Sequence, residues 1–424
     1  MPDHLKQAYR SDRHVIAGLI LLGIAARLVM LALVEPIADL RAGDAEYYLQ
    51  VAQSLLATGS HAIDGVPTAY RPPAYPVFLA AILAVGVAPV AVLAVQSCLS
   101  IGAALVTFAL LKADSRPLAV GVAAIIVSSP FLIVYDYKLI AEALYISLVW
   151  VAWLLQFTAP RIGGAARAIL AGLLIGIAIL TRDTLLLLPL FALPFALFSS
   201  DRKAMLKRLL LAAAASYLTI TPWMLRNASL PNEAMASEGR FGLNLWVGTW
   251  ERNGDWALPG LNNADFPSYA FRDAVEERNL RQALQRGDDA PFRQAALARL
   301  RTEPGTVLVT WLNRYPQMWL GTRTDQIKLR HERGSPMWTV LKAGFYALNL
   351  LFVALGVAGL MAAVRQRSRW SFFVIPILYT AGIYLPFHNS ETRYSLMAMP
   401  FLFLFGLWFA LRLFSTFSQR RQSS

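Results

Sequence analysis

Apolar runs of roughly 16–22 residues recur along this whole chain, each long enough to lie across a bilayer as a helix. No other feature limits the fold as strongly. Ten runs are legible: Val15–Val34, Val90–Leu111, Leu118–Val134, Leu139–Phe157, Ala165–Leu180, Thr184–Ser199, Leu209–Leu225, Ala343–Val364, Trp370–Leu385 and Leu396–Leu411. Composition agrees, because only 15% of the 424 residues are charged, 57% are hydrophobic and the mean hydropathy is +0.48. A soluble chain carries about 25% charged residues. The expected fold is an all-α polytopic bundle of about ten transmembrane helices.

The net charge of +13 invites a nucleic-acid reading, but the placement of the charge excludes it. Lys and Arg gather in short loops: the N-terminal tail, Lys112–Pro117, the loop with Arg161, the group Arg202, Lys203, Lys207 and Arg208, the group Arg365, Arg367 and Arg369, and the C-terminal end. The alternate loops hold few, chiefly Lys138, Arg182 and Arg393. The positive-inside rule then places both termini in the cytoplasm of a bacterial inner membrane and the other loops in the periplasm. A cleaved signal peptide competes for the first run, but that run exceeds a usual signal core and many spans follow, so a retained helix is expected. Cys98 lies in an apolar run and reads as an inert buried thiol.

Two segments are laid on the outer face. Counting Ala74–Val87 as a span would reverse every later loop, and Thr306–Leu320 carries Asn313, Arg314 and Pro316. The organisation expected is a membrane core over 1–225 with a first outer loop at 35–89, a large periplasmic loop region over 226–335, and C-terminal helices over 336–424. Within the large loop, the composition of Phe271 to Arg301 favours soluble helices.

The first outer loop is the most polar early stretch. After Asp44, residues Tyr48, Val51, Ala52, Leu55 and Leu56 follow the i, i+3, i+4, i+7, i+8 pattern of one helix face. Such a helix should lie along the interface, ended by Gly59, with its apolar side in lipid or against other helices. Tyr47 and Tyr48 suit the headgroup level. Asp44 then stands at the N-cap, where a carboxylate is favoured for capping alone. The functional alternative is a base that takes a proton from a hydroxyl; spacing does not decide between them.

Other polar residues reach the same face. "VYDYKLIAEALY" brings Asp136, Lys138 and Glu142 to the fourth span, with Asp136 at the surface and Glu142 one turn deeper, pointing into protein or a wet cavity. "ILTRDTLLLLP" joins two runs of about 24 Å, short of the roughly 30 Å hydrocarbon core. Arg182 and Asp183 should therefore sit in a recess, as an internal ion pair or as ligand-facing groups. "TPWMLRN" adds Trp223 and Arg226, and "HNSETRYSLMAMP" adds His388, Glu391, Arg393 and Tyr394.

Several arginines at a membrane edge suit a lipid phosphate, which guanidinium groups bind bidentately. Adjacent carboxylates suit proton abstraction. The ordered stretches "GDAEYY…ATG", "YRPPAYP", "DYKLIAEALY", "LTRD", "TPWMLRN", "GLNLWVGT" and "ETRYSLMAMP" resemble bacterial GT-C superfamily glycosyltransferases of the family-39-like type. These are relatives of protein O-mannosyltransferases, of the lipid A aminoarabinose transferase and of Rhizobium lipopolysaccharide galacturonosyltransferases. The resemblance covers nearly the whole chain.

It implies a GT-C-like bundle and an inverting transfer from a polyprenyl-phosphate-linked sugar to a lipid, glycan or protein acceptor among membrane lipids, with no nucleic acid involved. Asp44 would be the catalytic carboxylate, Glu142 the second acid and Asp136 its alternative. Arg71, Lys138, Arg182, Arg226 and Arg393 would meet the donor phosphate, and Tyr47, Tyr48, Tyr70, Tyr75 and Tyr394 would line the pocket. The acids are spaced as Asp44-Ala45-Glu46 where relatives often have Asp-Glu, so the metal is left open: some GT-C enzymes hold a divalent ion with such acids and others do not. The rivals are an O-antigen ligase or polymerase and a polytopic transporter; the latter places its charges near the midplane and often repeats its halves.

Overall fold

A computed structural model describes residues 3–35, 43–159, 162–230, 241–251, 266–286, 288–321, 328–366, 368–387 and 392–423. His388, Glu391 and Arg161, named above, lie outside the described residues. The protein is an all-α, multi-pass membrane protein. Helices α1 (Asp3–Leu33), α2 (Gly43–Thr58), α3 (Ala74–Leu83), α4 (Ala91–Leu111), α5 (Arg116–Ser128) and α6 (Pro130–Asp136) come first. Then follow α7 (Glu142–Thr158), α8 (Gly164–Ile179), α9 (Leu188–Ala192) and α10 (Arg202–Ala228). The long loop supplies α11 (Phe241–Trp250), α12 (Ala274–Arg286), α13 (Ala290–Thr302) and α14 (Pro304–Leu320). Helices α15 (Pro336–Arg365), α16 (Val374–Ile383) and α17 (Met399–Ser423) complete the chain.

Every apolar run expected to span is helical. Five helices are long and apolar enough to cross alone, and α5 with α6 makes a sixth as a bent pair. The bend of 51° has a local cause. Pro130 disfavours the helical conformation at the residue before it, and Ser129 is extended, with φ −63° and ψ 118°. The remaining four runs form shorter apolar helical segments, among them Glu142–Thr158 and Gly164–Ile179. Asp183–Phe198 is a chain of short turns rather than one rod. Helix α3 has 10 residues and so reaches only about 15 Å.

Burial of charge ties the first span to the bundle. Arg27 lies inside α1 and donates to Asp136 at 2.6 Å, to the Val127 carbonyl at 3.1 Å and to the Gly23 carbonyl at 3.0 Å. An ionised guanidinium at that depth requires such a partner. Asp136 was expected at the surface and as an alternative catalytic acid. It is instead fully buried and also accepts from Ser100 at 2.6 Å. The reason is the bend: α6 folds back towards α1 and α4, which turns Asp136 inward. Cys98 is likewise corrected, being exposed on α4; within a bilayer an apolar run need not be interior.

Close helix crossings rest on missing side chains, as expected where lipid removes the hydrophobic drive between helices. A Cβ on Gly172 would overlap the Ala212 carbonyl and one on Gly176 the Ser216 carbonyl, so α8 and α10 run in parallel contact. A Cβ on Gly359 would overlap the Phe405 carbonyl, holding α15 to α17. The loop helices α11–α13 have an apolar core of their own around Trp246, Phe266, Phe271 and Phe292. A third cluster packs α2 on α3 through Tyr48, Ala52, Tyr75 and Leu79. The apolar stripe of α2 thus meets protein.

Gly359→Ala should lower the thermal midpoint of the detergent-purified protein by the equivalent of about 1–3 kcal/mol, since backbone cannot yield as a side chain does. Gly344→Ala, on the same helix with open space around it, should leave the midpoint unchanged or raise it.

Candidate functional site

The site is built where helices stop. Helix α2 begins at Gly43, so Asp44 lies within its first turn rather than at the cap. Its carboxylate faces Arg71 at 2.5 Å and Arg393 at 3.7 Å. Arg71 precedes α3, and Arg393 lies on the short 3-10 helix Thr392–Ala398 leading into α17. Residues far apart in sequence therefore meet on one carboxylate. Asp44 keeps 29% of its side chain accessible, so it can meet a ligand.

A second pair adjoins the first. Arg182 follows α8 and donates to Glu142 at 2.8 Å; Glu142 opens α7 and is only 3% exposed. The Arg182–Asp183 pair weighed above does not form: Asp183 is exposed and starts a 3-10 turn. Arg182 Nε reaches the Tyr384 hydroxyl at 3.3 Å, and that hydroxyl lies 3.1 Å from Thr184 Oγ1. The guanidinium sits 5.3 Å from the Tyr145 ring centre and 5.8 Å from that of Tyr394. Tyr384 and Tyr394 rings pack at 4.8 Å.

The site thus holds three guanidinium groups against two carboxylates. Burial pushes the Asp44 carboxyl upward, but Arg71, Arg393 and Arg182 together outweigh it and hold it below the usual carboxylate value. Asp44 is consequently ionised at neutral pH and a weak base while those arginines face it. Desolvation raises the Tyr48 hydroxyl beneath it far above its ordinary range, so Tyr48 stays neutral. The Arg71 Nε is buried and lacks an acceptor among the described residues, which leaves it ready for an added anion.

The other expected residues divide. Tyr394 packs under Arg393, whose guanidinium lies 5.2 Å from its ring centre. Tyr70 packs under Arg71 at 4.9 Å, and Tyr47 packs on Tyr70 at 5.2 Å. Tyr75, expected in the pocket, is instead fully buried and donates to Gln96 at 2.7 Å; it is core. Lys138 is buried, with its ammonium 5.6 Å from the Tyr135 ring centre. Arg226, expected on the donor phosphate, instead donates to the carbonyls of Thr68 at 2.8 Å and His61 at 3.0 Å. Those carbonyls close a small hairpin, Ala62–Ile63 paired with Val66–Pro67. Its turn is Asp64-Gly65, both with positive φ, the arrangement favoured by Asp-Gly in a two-residue turn. That dipeptide was the available signal for a hairpin the sequence reading passed over. His61 is held in this corner, lowered to about 4 by burial, and is neutral.

Among the described residues, no three His, Cys, Asp or Glu side chains stand close enough to share a metal ion. Asp44 and Glu142 are both already compensated by arginine. This donor set does not fit a resident metal, and no step below uses one.

No protein-family model and no curated protein matches the chain. Solved structures do. The chain is similar in fold to an oligosaccharyltransferase. The Archaeoglobus fulgidus enzyme AglB, in complex with an inhibitory peptide and a dolichol-phosphate, aligns over 97% of this chain with a TM-score of 0.53 and 12% identity. The same organism's oligosaccharyltransferase tethered to an acceptor peptide containing the NVT sequon aligns over 97% with a TM-score of 0.53 and 14% identity. In both cases the chain spans about half the length of the matched protein, 51%. At such identity the likeness is one of fold, and it agrees with the GT-C-like bundle expected from the motifs.

Replacing Arg226 with Ala should free the hairpin carbonyls at a cost of about 1.5–3 kcal/mol locally, the range for bonds to a charged donor. Faster amide exchange at residues 61–68, with the bundle core unchanged, is the readout.

Proposed function

We propose that this protein is an inverting glycosyltransferase that moves a sugar from a polyprenyl-phosphate-linked donor to an envelope acceptor, at the periplasmic face of a bacterial inner membrane. The acceptor class is a lipopolysaccharide, another glycan, a lipid or a protein, and the nearest grouping by motif is the family-39-like type. The single observation that carries the reading is Asp44 held between Arg71 and Arg393 at an accessible edge of the bundle. The fold likeness to an enzyme solved with a dolichol-phosphate supports it.

In this reading the donor phosphate draws Arg71 and Arg393 off Asp44. The guanidinium groups then bear the charge that builds on the leaving phosphate oxygen as the bond from the anomeric carbon to that oxygen breaks. Removing them from Asp44 also restores its basicity. Its carboxylate takes the proton of the acceptor hydroxyl while that oxygen bonds to the anomeric carbon from the opposite face. The products are the glycosylated acceptor, the polyprenyl phosphate and a protonated Asp44, which returns its proton to water. Glu142 acts through Arg182, fixing its guanidinium towards the same pocket. Donor binding thereby switches on the base.

Asp44→Asn should reduce transfer by about 10²–10⁴-fold, the usual worth of general-base catalysis, with membrane abundance and thermal midpoint retained. Mass spectrometry of lipid-linked sugars and envelope glycans in cells with the wild type, the variant or no gene provides the assay. Full transfer by the variant would refute the role.

The pH dependence has a definite sign. Because the free Asp44 is lowered, the base is present above that lowered value and lost as pH falls through it. The acid limb of kcat/KM, which reports the free enzyme, should therefore lie below the ordinary carboxylate range near 3.9. Arg71→Gln should move that limb upward and raise KM for the donor together.

A further inference from the structure

The ends of α8 and α10 remote from Arg182 carry a second basic cluster that the proposed reaction does not use. Arg167 stands on the first turn of α8 and Arg208 on the second turn of the adjacent α10. The two helices run in parallel, with the Arg208 side chain packed across Gly164, and the positive charge of Arg167 bears directly on Arg208. The Nε atoms of both are buried and have no acceptor. The one acid that acts on Arg208, Asp201, caps α10 by accepting from the Ala204 amide at 3.0 Å. Two half-buried like charges side by side are unfavourable until an anion joins them.

Next to them an open groove of about 490 Å³ runs along α10. Its entrance is Lys203 and Lys207, and its floor is Leu206, Leu210, Leu211 and Ala214. Basic groups therefore lie at the helix end and an exposed apolar track leads away from them along the axis. That order matches a lipid lying parallel to the helix, headgroup outermost and acyl chain along the leucines. A free anion would match the charges but give no reason for the track.

We propose that this corner binds an anionic phospholipid, its phosphate bridging Arg167 and Arg208, with Lys203 and Lys207 at the rim and one acyl chain along Leu206 and Leu210. The site is about 22 Å along α8 from Arg182, from fifteen residues at 1.5 Å each, and is separate from the Asp44 pocket. Bound lipid would remove the repulsion at the α8–α10 crossing and so brace the helix whose far end presents Arg182.

The test uses the full-length protein in zwitterionic phosphatidylcholine bicelles, titrated with phosphatidylglycerol while thermal midpoint and retained lipid by native mass spectrometry are followed. Wild type should retain phosphatidylglycerol and gain stability. The double variant Arg167→Gln/Arg208→Gln should lose apparent affinity by about 10-fold or more, given the roughly tenfold-per-two-charges scale of basic residues at anionic membranes. Lys203→Gln/Lys207→Gln, which alters only exposed groups, should lose part of it with the fold intact. Inorganic phosphate at matched concentration should have no effect. Equal stabilisation by phosphate, equal retention of phosphatidylcholine, or unchanged phosphatidylglycerol binding in both double variants would each overturn the proposal.

Discussion

The Asp44 carboxylate between two guanidinium groups is the contact on which the arrangement depends. It joins the first turn of α2, the segment ahead of α3 and the short helix before α17, three pieces that no backbone pairing connects. Without a shared anion, Arg71, Arg182 and Arg393 would repel one another at a half-dry membrane edge. With it, they are gathered where an incoming phosphate can replace it. The same pairing thus stabilises the resting pocket and suppresses its base.

Much of this was legible from residue order. The apolar runs specify helices wherever they occur, because a bilayer leaves the backbone no other way to satisfy its polar groups. Glu142 was readable as inward-facing since a lone carboxylate in a span has a heavy desolvation penalty, and Arg182 was readable as recessed from the shortness of the runs on either side. The site carboxylate and its arginines were readable by motif order, though their mutual contact was not.

What escaped notice has physical reasons. Asp136 and Tyr75 look like pocket residues in sequence, yet a 51° bend and the packing of α3 send both inward; neither has a periodic signature. Arg226 looks like a phosphate ligand because Arg at a helix end usually meets something outside the fold. Here it meets carbonyls from a hairpin more than 150 positions away in the chain. Tyr384 and Tyr145, which flank Arg182, are aromatic residues in aromatic-rich spans and carry no distinguishing pattern. Arg27 did carry one, as a cation inside a span that needed a buried partner.

One contact pattern has mechanical meaning. Arg314 on α14 grips the Phe387 carbonyl at 2.8 Å, and Ser395 grips the Met318 carbonyl of the same helix at 2.7 Å. The segment bearing Arg393 is therefore riveted on both flanks to α14, which in turn receives the Gly248 carbonyl through Trp311 at 3.0 Å. Load applied to the extramembrane lobe would travel along α14 like a rocker arm and tilt a cation that touches Asp44. Whatever seats on that lobe can thereby be felt in the membrane.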